Sequence, residues 1–106
     1  MIELTVHELE LLFRKYVSEK TPIVAFLIAG KTRVKLSGHI DSVTDSGIVV
    51  RAENGDFAIF DVSGMRRSLL GDRRDIPPEA ANIEADYTSA LSLMREDGEI
   101  LTIFER

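Results

Sequence analysis

The stretch from Pro22 to Val62 decides the fold, and it reads PIVAFLIAGKTRVKLSGHIDSVTDSGIVVRAENGDFAIFDV. It contains four apolar runs that are separated by short turns containing Gly or Asn. These runs predict four β-strands, at residues 23–29, 33–43, 48–52 and 57–62. The connections are too short to hold a crossover helix, so neighbouring strands must run antiparallel.

Two features of this stretch indicate how the strands turn and bend. Asn54-Gly55 lies between the third and fourth runs, and both residue types accept the positive φ angles of a tight hairpin. Gly38 lies inside the second run, where a glycine usually marks a bend or a close backbone approach. A sheet of short strands covers its edges best by closing into a barrel. We therefore predict that Gly38 allows the bend of a small barrel.

The residues on either side of this stretch predict a helix and a fifth strand. Thr5 and Glu8 form a capping box, which places a helix at residues 5–20. We expect this helix to cover one open end of the barrel. After the fourth strand, residues 65–70 predict a fifth strand, residues 71–75 an exposed link, and residues 79–86 one or two helical turns. The helix carries an apolar stripe at helical spacing, formed by Leu9, Leu12, Phe13, Tyr16 and Val17.

The C-terminal third of the chain fits two structures. Ile83, Tyr87, Leu91 and Met94 have the spacing of a helical stripe. Asp97-Gly98, followed by a β-prone run, favours a hairpin from about residue 88 to 104. We favour the hairpin, and we divide the chain into a barrel domain, residues 1–74, and a C-terminal extension, residues 75–106.

Charge divides the chain in the same place. The net charge is −5, but residues 1–74 hold 11 of the 13 Lys and Arg and 10 of the 18 Asp and Glu, a balance of +1. The extension therefore has a balance of −6, and it is acidic. There is no cysteine, which excludes disulfides, thiolate catalysis and zinc ribbons. No apolar stretch approaches the roughly 20 residues of a membrane span, and the N-terminus lacks the features of a secretion signal, so a cytoplasmic location is expected.

A helix followed by five short strands is the order of elements found in the Sm-like fold. The helix and Pro22 lead into the first strand, Ser37–Val43 carries a central Gly followed by Ile, Asp and Ser, and Ile48–Arg51 ends on a basic residue. Over residues 9–65 this pattern resembles the bacterial Sm-like (LSM) family of the RNA chaperone Hfq. The resemblance implies an all-β fold: a small five-stranded Sm-like (SH3-like) barrel with an N-terminal α-helix and a C-terminal extension. It also implies a homo-oligomer, a hexamer or heptamer ring, that binds single-stranded RNA.

By this resemblance, the chain keeps part of one RNA-binding surface of that family. Phe26 keeps the aromatic residue of the first strand and Lys35 the basic residue of the second, whereas Ser37 replaces a Gln. The pore surface is largely lost, because Ser46 stands where a stacking aromatic is needed. The Lys-His pair of the pore is also missing, since Phe60-Asp61-Val62-Ser63 occupies its place.

Three cations accompany Phe26 on the same strands. Lys31, Arg33 and Lys35 fall at alternate positions, so all three are expected to point one way as a stripe that contacts phosphates. With Phe26 they are the predicted RNA-binding residues. A second basic group, Arg66, Arg67, Arg73 and Arg74, flanks the end of the barrel.

The sequence shows no sign of catalysis. His7 and His39 are far apart and are interpreted as surface residues, and we find no nucleophile–base pair, phosphate loop or metal-ligand spacing. The chain is therefore predicted not to be an enzyme and to hold no metal or cofactor.

Two hypotheses for function remain. The first is an Sm-like RNA-binding ring, which the cation stripe favours. The second is a structural or protein-interaction ring that does not bind RNA, which the net acidity and the missing pore residues favour. In both, the free edges of the fourth and fifth strands pair between copies, and six or seven copies close the ring.

Overall fold

The computed structural model describes residues 1–45, 47–72 and 87–106. Within these ranges it holds one helix, α1 (Val6–Glu19), and a single eight-stranded sheet. The predicted all-β class is confirmed, and the five predicted strands and the predicted hairpin are present, with β1 as an additional strand and all eight in one sheet. The strands are β1 (Ile2–Glu3), β2 (Ile23–Ala29), β3 (Thr32–Val43), β4 (Gly47–Ala52), β5 (Phe57–Asp61), β6 (Met65–Asp72), β7 (Ser89–Arg95) and β8 (Ile100–Glu105).

The strands lie in the order β1-β6-β7-β8-β2-β3-β4-β5, and every neighbouring pair is antiparallel. The predicted meander of four strands is confirmed as β2 to β5. The predicted C-terminal hairpin is also confirmed, as β7 and β8. The helical alternative is wrong in the described range, because Leu91 and Met94 both belong to β7. The hairpin and the meander form one continuous sheet, because β8 of the hairpin pairs with β2 of the meander along six residues.

The region after β5 differs from the prediction in two respects. The strand predicted at residues 65–70 extends as β6 to Asp72, and Gly71 is buried opposite Ala90 instead of lying in an exposed link. This strand is also not an edge, since it pairs with β1 on one side and β7 on the other. The ring contact predicted between the fourth and fifth strands therefore lacks one of its two free edges. The helical turns predicted at 79–86 lie outside the described residues.

The main core lies between α1 and one face of the sheet. The apolar stripe of α1 packs into it through Phe13 and Tyr16, both buried, as the helical spacing predicted. At the start of the helix, the Thr5 hydroxyl accepts from the Glu8 N–H at 3.1 Å, and Glu8 Oε1 accepts from the Thr5 N–H at 3.0 Å. The capping box is thus confirmed, and these bonds lower the pKa of Glu8. The strands supply most of the rest of the core: Ile23, Ala25, Ile40, Ile48, Val50, Phe60, Leu91, Leu93, Leu101 and Ile103.

Gly38 lies where two backbones meet. It pairs with Ile23 on β2 and with Ala52 on β4. A Cβ atom placed on Gly38 would lie 1.9 Å from the backbone oxygen of Arg51, so no side chain fits there without moving the backbone. The structure thus shows a close backbone approach at Gly38, and the predicted role of Gly38 in the bend of a barrel stays a prediction.

An ion pair joins the free end of the sheet to a distant strand. Asp61 at the end of β5 lies 3.3 Å from the Arg95 guanidinium on β7. The Ser63 hydroxyl donates to the same carboxylate at 2.6 Å and the Ser63 N–H donates at 2.9 Å. The Ser63 bonds, followed by Arg95, lower the pKa of Asp61 below its ordinary value of 3.8.

The lowered pKa of Asp61 predicts a pH dependence of stability. A carboxylate whose pKa is lower in the folded state stabilises the fold above its ordinary pKa, and this stabilisation is lost as the pH falls through the folded value. As the pH is lowered from about 5 to below 3.8, the ordinary pKa, we expect the melting temperature of the wild type to fall more steeply than that of Asp61→Asn. Asp45→Asn, in the turn after β3, is the control. Equal acid dependence in the wild type and Asp61→Asn would contradict the assignment.

Candidate nucleic-acid interface

Phe26 and Lys35 are direct cross-strand partners on β2 and β3. Residues directly opposite in an antiparallel pair place their Cβ atoms about 5 Å apart on the same face. Lys35 is exposed and Phe26 is half-buried, so the aromatic ring is partly accessible beside the ammonium group. The β2–β3 pairing thus places an aromatic ring and a cation side by side on one face of the sheet.

The other two predicted cations occupy different positions. Arg33 lies opposite Ile28, two residues from Lys35, and therefore shares the face of Lys35. Lys31 lies in the two-residue turn between β2 and β3, not in a strand, so the predicted alternation holds for Arg33 and Lys35 alone. The turn begins with Gly30 at φ +59°, the conformation that a glycine provides at the first position of a type II′ turn. Lys31 is exposed at the tip of this hairpin.

The Arg33 side chain folds back onto the turn. Its Nη1 donates to the carbonyl of Gly30 at 2.7 Å and to that of Thr32 at 3.0 Å. These bonds hold the guanidinium near the hairpin. A guanidinium has five N–H donors, so donors remain that can reach a phosphate.

The C-terminal hairpin completes this face. Phe26 pairs with Thr102 on β8, and Thr102 pairs with Ser92 on β7, so the row that begins at Lys35 continues across four strands. In the next row Ile28 pairs with Ile100. The sequence pattern did not indicate Thr102 and Ile100 as residues of this face. They reach it through the β2–β8 pairing, which joins segments that are distant in the sequence. We name Phe26, Ile28, Arg33, Lys35 and Thr102 the Phe26 face.

A small aromatic cluster supports Phe26. Val24, Tyr87, Ala90 and Phe104 are buried together, and Phe26 packs against them. The rings of Tyr87 and Phe104 lie 4.9 Å apart at an angle of 59°, which is the tilted arrangement that aromatic pairs favour. One side of Phe26 is therefore fixed by packing. A ring held in this way loses little conformational freedom when a flat group stacks on it.

The remaining basic residues that the sequence singled out are engaged elsewhere. Arg67 pairs with Glu3 at 2.9 Å, and Arg66 pairs with Glu96 at 3.2 Å. Arg73 and Arg74 lie outside the described residues.

The two histidines lie in different places. His39 lies 3.8 Å from Asp41, which is also 3.2 Å from Arg51. His7 is exposed on α1.

A concave feature lies on another side of the molecule, away from the Phe26 face. A groove of about 710 Å³ runs between α1 and the strand ends at Val43, Val62 and Met65. Its walls are mostly apolar. Its four charged residues are two of each sign, so the groove has no evident preference for anions; they are Glu10, Arg14, Asp45 and Arg66.

Two general properties of the described ranges accompany this geometry. No three His, Asp or Glu side chains there come together as the ligands of a metal ion would. No helix of those ranges is long and apolar enough to cross a membrane. Comparison with known proteins finds no matching family model, no matching curated protein and no matching solved structure.

Proposed function

We propose that this protein binds single-stranded RNA on the Phe26 face, by association without bond chemistry. The observation that carries the proposal is the direct pairing of Phe26 with Lys35. Proteins that bind single strands combine aromatic side chains that stack on bases with cations that contact the backbone, and each stacked base contributes about 1–3 kcal/mol. Phe26 supplies the stacking surface, and Lys35, Arg33 and Lys31 supply the cations.

The charges of the chain set how such binding depends on salt. The net charge is −5, so long-range attraction to RNA is weak, and binding depends on the local cations. Three phosphate contacts on a single strand give a slope of about −2 in a plot of log affinity against log salt concentration. The proposal therefore predicts modest affinity that falls as salt is added.

The Sm-like architecture is part of the same proposal. The direct passage from α1 through Pro22 into the β2–β5 meander supports it. In this assignment the fifth barrel strand is β8, which lies beside β2, and β6 and β7 are additions to the barrel.

The second candidate function is protein assembly without RNA. The exposed apolar side chains of Phe57 and Ile59 on the edge strand β5 favour it. Under this alternative the Phe26 face is an ordinary solvated surface, and the net negative charge opposes contact with RNA.

Fluorescence anisotropy with a short, labelled, A-rich RNA separates the two functions. We expect the wild type to bind at low salt, and Phe26→Leu to bind about tenfold more weakly, because leucine keeps the packing and removes the stacking surface. The double variant Arg33→Ala/Lys35→Ala should also lose about tenfold, with a flatter salt dependence.

The matched control removes the same charge from another surface. Arg14→Ala/Lys15→Ala, on the exposed side of α1, should change the affinity by less than about twofold, since distant charges are screened. Equal losses in the two double variants would show a general charge effect and contradict the site. No binding by the wild type at low salt would reject the RNA function in favour of the assembly function.

A further inference from the structure

The end strand β5 presents an unpaired edge with exposed apolar side chains. The sheet has two ends, and the other end is β1, which is only two residues long. On β5, Phe57 is 61% exposed and Ile59 is 66% exposed. A five-residue edge with such side chains is a template for pairing with another strand.

The hydrogen-bond pattern of the β4–β5 pair fixes which backbone groups face the edge. The Ala52 N–H donates to the Asp56 carbonyl at 2.7 Å, so this pair begins the bonded series. Bonded and non-bonded pairs alternate in an antiparallel ladder without register shifts. The backbone groups of Phe57, Ile59 and Asp61 therefore point away from β4, towards the free edge.

We propose that two copies of this chain pair through β5 about a two-fold axis at Ile59, which joins their two sheets into one. The two-fold axis of an antiparallel pair can pass through a hydrogen-bonded or a non-hydrogen-bonded residue pair. Ile59, whose backbone groups face the edge, is the middle residue of β5, so a centre there lets all five residues overlap.

The side chains of β5 suit this register. Ile59 faces Ile59 of the second copy, and Phe57 faces Asp61 of the second copy. On the core side, Ala58 faces Phe60 of the second copy, so a small side chain meets a large one.

The register brings opposite charges of the two copies towards each other, beside the ion pairs that Arg51 forms with Asp41 and Asp61 forms with Arg95 within each copy. The Arg51 guanidinium lies 5.7 Å from the centre of the Phe57 ring. Pairing of Phe57 with Asp61 of the second copy brings that carboxylate towards Arg51. An apolar pit of about 250 Å³ beside β5, lined by Leu27, Val34, Ala58 and Leu101 among others, extends the apolar surface at the edge.

Light scattering tests the pairing with two charge variants. The wild type should have a mass of about 23.6 kDa, twice the 11.8 kDa of the chain, at micromolar concentration. Ile59→Lys should be monomeric, because two ammonium groups would meet at the axis. Val6→Lys, which adds the same charge to an exposed valine of α1, should remain dimeric. A monomeric wild type, a six- or seven-copy mass, or a dimeric Ile59→Lys would overturn the proposal.

Disulfide trapping tests the register directly, because the chain has no cysteine of its own. Residues that exchange hydrogen bonds in an antiparallel pair have Cα atoms about 5.5 Å apart, which suits a disulfide. Under mild oxidation Ile59→Cys should therefore form a covalent dimer. Phe57→Cys should not, since its two copies would lie about 14 Å apart along the strands. Equal trapping of the two equally exposed cysteines would overturn the register. β5 and the Phe26 face share no residue, so this outcome and the RNA titration are independent.

Discussion

Gly38→Val is expected to destabilise the protein by about 3 kcal/mol or more, towards the upper end of the cost of overpacking. A Cβ at this position would lie 1.9 Å from the Arg51 oxygen and 2.9 Å from the Ala52 Cα, which are both backbone atoms. A backbone neighbour cannot rotate away, so β3 and β4 must separate locally. Urea unfolding of the purified protein, followed by circular dichroism, measures the change in the free energy of unfolding.

Ser42→Val is the matched control for Gly38→Val. It adds a similar side chain to an exposed position of the same strand, where a β-branched residue is favoured. Its free energy of unfolding should differ from that of the wild type by less than about 0.5 kcal/mol, as for most surface changes. Equal stability of Gly38→Val and Ser42→Val would show that the close approach at Gly38 does not constrain the fold.

A chain that ends at residue 74 is expected not to fold. The truncation removes β8, which lies between β7 and β2, together with the fully buried side chains of Leu101, Ile103 and Phe104. Loss of a single buried Leu or Ile side chain costs about 2–5 kcal/mol, whereas an entire domain has only about 5–15 kcal/mol of stability. The truncation also removes Glu105, whose carboxylate accepts a hydrogen bond from the buried Tyr16 hydroxyl at 3.5 Å.

Circular dichroism and one-dimensional NMR of residues 1–74 test this expectation. The chain should show no cooperative thermal transition and poorly dispersed amide signals. Glu96→Gln/Asp97→Asn is the control, because it removes acidic charge from the same region and keeps both strands. A truncated chain that unfolds cooperatively would show that α1 and the strands up to β6 fold without the C-terminal hairpin.

The local features of the fold could be predicted because the causes are local. Thr5 and Glu8 fix the start of α1 through bonds within one turn. Gly55 adopts φ +92° in the turn between β4 and β5, as Asn-Gly predicted, whereas Asn54 does not have a positive φ. A glycine inside a strand is typical of a bend or a close backbone approach, and Gly38 lies close to the backbone of Arg51 and Ala52 on β4.

The position of β8 could not be predicted, because it depends on pairing between distant segments. The apolar run at residues 23–29 predicted a strand, but it did not identify β8 as the strand beside it. Gly71 resembled part of a link because a Gly-Asp-Arg-Arg sequence is typical of exposed turns. In the structure it pairs with the small residue Ala90 inside the sheet.

The candidate site also combines features that the sequence predicted with features that it did not. The alternation of β3 correctly placed Arg33 and Lys35 on one face, and the facing position of Phe26 followed from a short hairpin. The support by Tyr87 and Phe104 comes from the C-terminal hairpin, so the sequence around Phe26 held no sign of it. The bonds of Arg33 to the turn carbonyls depend on side-chain geometry, which residue patterns do not specify.

The most direct test of the RNA-binding function is an NMR titration of ¹⁵N-labelled protein with a short, unstructured, A-rich RNA at low salt. We predict that the amide signals of β2, β3 and β8 around Phe26, Lys35 and Thr102 shift as RNA is added, and that they return when salt is raised. Signals of α1 should stay in place. Shifts confined to α1 and its groove, or no shifts at all, would contradict RNA binding on the Phe26 face.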